Sequence, residues 1–243
     1  MWTPLNVLKQ SIERIAGVRV FRNTLPHGIE CFFDISRRFG RNNIHVIFDV
    51  GANIGQSALK YVHQFPDAEI HAFEPVSATY QQLVAATRSF SKIHTYHLGM
   101  GSTPGEIEIN VHPDSCQSSI LLKRPEDRSE TTKLETISEF AERHNINAID
   151  YLKIDTESYE IEVLTGAIPL LREQKIHFIQ CECEPLKTSD RFVAFADLCE
   201  FLTPFGYRLF GVYEQQPDWE RNELLYWNAV FVCGKLVLPH SRI

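Results

Sequence analysis

The chain has no CxxC pair, no HxxxH or HExxH, no GxGxxG, and no apolar run approaching the roughly 18 residues needed to cross a bilayer. Each absence removes a class. Six cysteines are present, but without CxxC or a regular framework they read as reduced thiols of a cytosolic compartment, not as a disulfide scaffold. Cys181 and Cys183 alternate along FIQCECEP and read as small buried hydrophobes, not as zinc ligands. The ten histidines lack metal-ligand spacing, so no metal site announces itself. With no spanning segment and no signal-like apolar core at the amino terminus, a soluble, cytoplasmic protein is expected. Positive charge is also short: 24 Lys and Arg stand against 31 Asp and Glu, for a net charge of -7. The acids are scattered and leave no basic face for a phosphate backbone, so nucleic acid is not an expected partner. A small-molecule or glycan partner fits this balance better.

What is present is an alternation of strand and helix patterns. At 243 residues the chain suits one large α/β domain and is too short for two comfortable ones. Leu5, Val7, Leu8, Ile12 and Ile15 recur at helical spacing, and residues 29–39 read as another helix. Residues 1–44 are therefore expected as a helical lid or flanking segment, and 45–243 as a single domain. From Val46 onward the βαβ rhythm of a parallel sheet appears: strand 46–50 and helix 54–63, strand 69–73 and helix 77–90, then strand 93–98. Glycines and a proline at 99–105 break it, and EIEINV at 106–111 reads as an antiparallel addition. Residues 112–132 read as a variable loop, 134–144 as a helix, 149–154 as a strand, and 160–172 as a helix. A strand at 176–183, a helix at 190–203 and strands near 207–213 and 225–232 follow. The last two suggest a closing hairpin, with an antiparallel edge strand on a mostly parallel sheet.

The densest signal is HVIFDVGANIGQ at 45–56. An apolar run ends in Asp49, at the carboxyl end of a central strand, where open α/β sheets place ligands. Gly51 and Gly55 allow close backbone approach or positive φ, and Asn53 tolerates left-handed geometry. The spacing DxGxNxG lacks the phosphate-approach glycines of a dinucleotide fold, which argues against a nicotinamide-dependent oxidoreductase. Glu74 closes the next strand, roughly 20 residues on, where this architecture puts an acid on a ribose diol. An acid, a glycine turn and a second acid together suit S-adenosylmethionine.

Further acids gather at later strand ends. KIDTESYE carries Asp155, Glu157 and Glu160, and CECEP carries Glu182 and Glu184, with Lys153 or Arg191 as partners. Glu157 and Glu160 also suit simple capping of a helix first turn. A sugar hydroxyl needs a proton acceptor as its oxygen attacks, and Asp155, Glu157 and Glu182 are the candidates, with His97 and His112 outside choices. The same oxygen-only cluster could instead hold a magnesium ion. In the variable loop, Ser115, Gln117, Ser118 and Ser119 could bind a hydroxylated acceptor, or simply be solvated.

The ordered set FDVGANIGQ, AFEP, LETI, DYLKIDTESYEIEVLTGA, ECEP, GYRLFGVYE and WNAVFV resembles the FkbM family of S-adenosylmethionine-dependent methyltransferases, over nearly the whole chain from about Leu25. The resemblance implies a Rossmann-like class I methyltransferase fold, with a mostly parallel seven-stranded sheet, an antiparallel edge hairpin and helices on both faces. It implies O-methylation of a hydroxyl on a sugar, glycan or natural product. Asp49, Gly51, Asn53 and Gly55 would contact the methionine part, Glu74 the ribose, and Met100 would flank adenine. Asp155 would lie near the transferred methyl, steering the acceptor or acting as its base. Ser158 replaces a usual glycine and Glu135 a usual aspartate, which would alter the turn after Asp155 and the loop anchor. The alternative reading is a non-catalytic binding protein that keeps this fold.

Overall fold

The computed structural model describes residues 13–15, 25–112, 118, 120, 121, 125, 127–187 and 191–237. The helix expected at residues 5–15 lies outside these except at 13–15, which are helical.

The unbroken apolar runs become strands covered on both sides. β1 (Val46–Val50) pairs in parallel with β2 (Glu69–Phe73) on one side and β7 (Ile149–Ile154) on the other. β2 continues to β3 (Ile93–Tyr96), and β7 to β8 (Ile176–Glu184), again in parallel. All six residues of β7 are buried, as the centre of a two-sided sheet requires. Between the strands lie α1 (Cys31–Phe39), α2 (Gln56–Gln64) and α3 (Ser77–Thr87). These pack on one face with Ile35, Tyr61 and Leu83 against Ile47 and Tyr151. The opposite face carries Phe48, Phe73 and Leu152 under α4 (Ile137–Arg143), α5 (Glu160–Thr165), α6 (Ile168–Arg172) and α7 (Phe195–Leu202). Phe32 and Ile35 of α1 are core residues, so this helix of the flanking segment is packed onto the sheet. Among the described residues no helix is long and apolar enough to cross a membrane.

The sheet is mostly parallel and ends in the expected antiparallel hairpin. Its order is β3-β2-β1-β7-β8-β11-β10, with the short β9 (Val193–Ala194) added beside β8. β10 (Arg208–Asp218) takes the edge, and β11 (Glu223–Val232) folds back between β10 and β8, antiparallel to both. The antiparallel strand is thus one place in from the edge, where it is hydrogen-bonded on two sides. Its last four residues are buried accordingly.

Three expectations are corrected. The loop at 112–132 is shorter, because residues 128–132 belong to β6 (Arg128–Glu135). This strand pairs antiparallel with β5 (Gly105–Val111) and parallel with β4 (Gly99–Met100), giving a second, three-stranded sheet. The helix expected from 134 starts only at Ile137. Thr136 caps it: its hydroxyl accepts from the Glu139 N–H at 3.1 Å and donates to the Glu139 carboxylate at 3.0 Å, an N-cap that satisfies one free N–H of the first turn. The helix expected over 160–172 is two, α5 and α6, which meet at Gly166 and Ala167. At Gly166 a β-carbon would lie 2.1 Å from the Gly101 carbonyl oxygen, so a close backbone crossing fixes the break. Cys181 and Cys183 are wholly buried in the core, as small hydrophobes are.

Candidate active site

The turn after β1 is strapped to its neighbours by backbone. The N–H groups of Gly51 and Ala52 both donate to the Phe73 carbonyl, at 3.1 and 2.9 Å. Asp155 N–H donates to the Val50 carbonyl at 3.0 Å, so the turns after β1 and β7 touch. Gly51 has φ +77°, and Asn53 is left-handed at φ +48°, as its residue type tolerates. The Asn53 N–H donates to one oxygen of Glu74 at 3.0 Å, and the Val76 N–H donates to the other at 2.9 Å. Glu74 therefore ties the first turn to the second. Burial pushes its carboxyl up to about 7 against those two lowering bonds, leaving a carboxyl that gains from further donors.

These groups open on a cavity of about 260 Å³ at the carboxyl ends of the strands. Gly51, Asn53, Glu74 and Met100 line it together with Asp155, Glu157 and Glu182. Phe73, Leu98 and Tyr159 add apolar wall. Ser118 also lines it and accepts from the His112 N–H at 3.1 Å; Ser115, Gln117 and Ser119 lie outside the described residues.

Asp49 and Gly55 do not line this cavity. Asp49 is fully buried and points to the α2 side of the sheet, with its oxygen 3.4 Å from the Lys153 ammonium. Burial raises its carboxyl above the ordinary range, and Lys153 opposes this. Gly55 is the N-cap of α2 at φ +98°. A β-carbon there would meet Leu83 and Thr87 at 3.0 and 3.2 Å, so this glycine serves the packing of α2 on α3. His97 does not line the cavity, its Nε2 donating to the Pro75 carbonyl at 3.0 Å and its ring stacked on Tyr80, and Glu184 is buried away from it.

The acids at the rim have different partners. Asp155 sits 3.0 Å from Lys153. Burial alone would lower the Lys153 ammonium, but Asp155 and Asp49 outweigh it and hold the lysine charged, above its ordinary value. Glu157 is left-handed at φ +52° and takes a fork from Arg191, with Nε at 2.7 Å and Nη2 at 3.0 Å. Glu160 is buried and accepts from the Thr156 N–H at 2.9 Å and hydroxyl at 3.1 Å, which ties the turn after β7 to the start of α5, a helix without a side-chain cap bond. Glu182 makes no hydrogen bond or ion pair among the described residues, and burial, then Asp155 and Glu157, push it up to about 8. Among the described residues no three His, Cys, Asp or Glu side chains are grouped to hold a metal ion.

Ser158, at the place of the usual glycine, has φ +79°, a conformation that explains the glycine preference. Glu135 is ion-paired to Arg143 at 2.5 Å at the end of β6. Tyr159 lines the cavity directly after Glu157 and Ser158, both at positive φ, and no sequence pattern marks it.

Residues 49–209 match the model of the methyltransferase FkbM domain. Methyltransferase sdnD of Sordaria araneosa is 26% identical over 155 residues, covering 49% of this chain and 59% of that protein. Methyltransferase 1 of Beauveria bassiana is 25% identical over 200 residues, covering 73% and 77%. The hexuronic acid methyltransferase AglP of Haloferax volcanii is 28% identical over 138 residues, covering 56% and 55%. The match thus spans less than two thirds of the first and third of these relatives.

Proposed function

The chain belongs to the FkbM methyltransferase family, and from that premise we propose that it transfers a methyl group from S-adenosylmethionine to a hydroxyl of a small acceptor, a sugar, glycan or natural product. Residues 45–243 act as the methyltransferase domain, and the reduced thiols and soluble character suit the cytoplasm. The observation that carries the reading is that one cavity gathers two chemically distinct sets of groups, Gly51, Asn53 and Glu74 in the first and Asp155 and Glu182 in the second.

The first set suits the donor. Gly51 offers bare backbone, Glu74 is a buried carboxyl with lone pairs left for ribose hydroxyls, and Met100 with Phe73 supplies an apolar surface for adenine. When bound, S-adenosylmethionine supplies an electrophilic methyl on a sulfonium. The second set activates the acceptor. Glu182, with its raised pKa, takes the hydroxyl proton as the oxygen attacks. Asp155, anchored by Lys153, orients that hydroxyl, and positioning of this kind supplies most of the rate in an in-line displacement. The Glu157–Arg191 pair walls off the site from water. The printed name of AglP, a hexuronic acid methyltransferase, supports a sugar hydroxyl as acceptor.

Calorimetry with S-adenosylmethionine tests the donor half. Micromolar-range binding is expected, weakened at least about tenfold in Glu74→Ala. Wild-type protein that is folded but binds none would sink the proposal.

A further inference from the structure

A second cavity, of about 290 Å³, opens on the α1–α2 side of the sheet and shares two lining residues with the first, Asp155 and Glu182. Resting on the methyltransferase reading above, we infer that this second cavity is the acceptor pocket, and that it takes a sugar ring bearing no carboxylate, either neutral or amine-bearing. The two cavities meet at Glu182, which makes no hydrogen bond or ion pair among the described residues, and at Asp155, held by the buried Lys153. A hydroxyl presented from the second cavity therefore reaches the two acids that the first cavity also exposes.

The lining matches a polyol. Its floor is apolar and buried, with Phe32, Tyr61 and Tyr213. Above the floor the lining is polar, with Gln56, Ser57, Gln180 and Asn228 among the groups that can hydrogen-bond ring hydroxyls. The Gln180 carbonyl accepts from the Tyr151 hydroxyl, so its amino group is turned to donate. Asn228 donates to Glu214 at 2.7 Å and keeps its carbonyl free to accept. Glu214 itself is left-handed at φ +49°, where the pairing of β10 with β11 shifts register. Irregular strand positions of this sort re-aim side chains beside active sites.

Charge decides the class of sugar. Glu30, Asp155, Glu182 and Glu214 line the pocket against Lys60 and Lys153. Lys153 is already shared by Asp49 and Asp155, and Lys60 is paired with Glu214 at 3.3 Å. No ammonium is left over for a substrate carboxylate, and a uronate would face like charges, which disfavour binding. The preference thus departs from the acceptor named for the AglP relative.

The test uses the whole chain loaded with S-adenosylhomocysteine, titrated with methyl glycosides of gluco, galacto and manno type in neutral, amino and uronate forms, and read by saturation-transfer NMR. For the ring type that binds best, the uronate is expected to bind at least about tenfold more weakly than its neutral or amino counterpart. Glu214→Lys should bring the uronate to within about threefold of the neutral sugar, and Lys60→Glu should widen the gap, with S-adenosylhomocysteine affinity unchanged in both. Both side chains are more than half exposed, so these variants keep the fold. A uronate preferred by wild type, an unchanged ratio in Glu214→Lys, or no signal from any glycoside would overturn the inference while leaving the donor site standing. Failure to bind S-adenosylhomocysteine would instead remove the methyltransferase reading and the acceptor assignment with it.

Discussion

The α-carbon of Gly51 faces the main-chain carbonyl of Asp155: a β-carbon built there would lie 1.8 Å from that oxygen. The glycine is required twice, by this contact and by its φ of +77°. Neither neighbour can give way, since Asp155 is itself hydrogen-bonded to Val50. Gly51→Ala is expected to destabilise the protein by about 3 kcal/mol or more, a fall in Tm of roughly 6–12 °C for a chain of this size. Thermal unfolding followed by circular dichroism checks it. A variant melting with wild type would mean that the turns are not in contact.

Lys153 lies wholly inside, between Asp49 at 3.4 Å and Asp155 at 3.0 Å. Removing the cation leaves the Asp49 carboxylate buried with no compensating charge, which costs more than the pair itself contributes. Lys153→Met should lose about 3–5 kcal/mol in urea unfolding. Adding Asp49→Asn should recover a large part, because the stranded charge is then gone. If the double variant were as unstable as the sum of the singles, the two residues would not be coupled.

The parallel sheet was legible because strands covered on both faces read as unbroken apolar runs, as Ile149–Ile154 does. β6 was not: RSETTKLE faces solvent on one side, with only Thr132 and Glu135 buried, and its polar content resembles a loop. The break between α5 and α6 depends on Gly101, far off in sequence, and helical spacing cannot report it. In the site, the turn residues were legible from their backbone chemistry. The direction of Asp49 was not, since a strand buried on both faces lets an acid point either way, and the pairing of Asp49 with Lys153 decides it. The second cavity joins Gln56, Gln180 and Asn228, which share no local pattern.

Ser158 carries a glycine's conformation, φ +79°, directly after Glu157 at φ +52°. A left-handed non-glycine residue costs on the order of 1–2 kcal/mol, while glycine adds back entropy to the unfolded chain. Ser158→Gly should therefore stabilise by about 0.5–1 kcal/mol and raise Tm by roughly 1–4 °C. A lower Tm in calorimetric scans would show that the serine hydroxyl is worth more than the strain.

Stability should fall as pH rises from about 5 through about 7 and level off above about 8. Burial raises both Glu74 and Glu160 from 4.5 to about 7. The native state therefore holds protons that the unfolded chain has already lost, so the contribution is full below the unfolded value and is lost as pH rises through about 7. Burial holds His71 down at about 4, an opposite effect confined to pH below about 6.5. Between about pH 6.5 and 8.5 the loss should be on the order of 1 kcal/mol, read from urea midpoints. Glu160→Gln keeps the bond from Thr156 and should flatten this slope. A slope that is unchanged in that variant would take Glu160 out of the account.

Glu182 is the carboxyl whose protonation should set the rate. A base must be deprotonated to act, and burial together with Asp155 and Glu157 raises Glu182 to about 8. The kcat profile should therefore climb with pH and level off above about 8. Glu182→Gln should lower kcat by about 10²–10⁴-fold and abolish that limb, with donor affinity unchanged. Asp155→Asn removes a negative neighbour of Glu182, so the limb should move to lower pH even as the rate falls through poorer orientation. The two variants separate the roles. A pH limb that survives in Glu182→Gln but disappears in Asp155→Asn would make Asp155 the base, because only the group that titrates in the transition state takes the limb with it when it is removed.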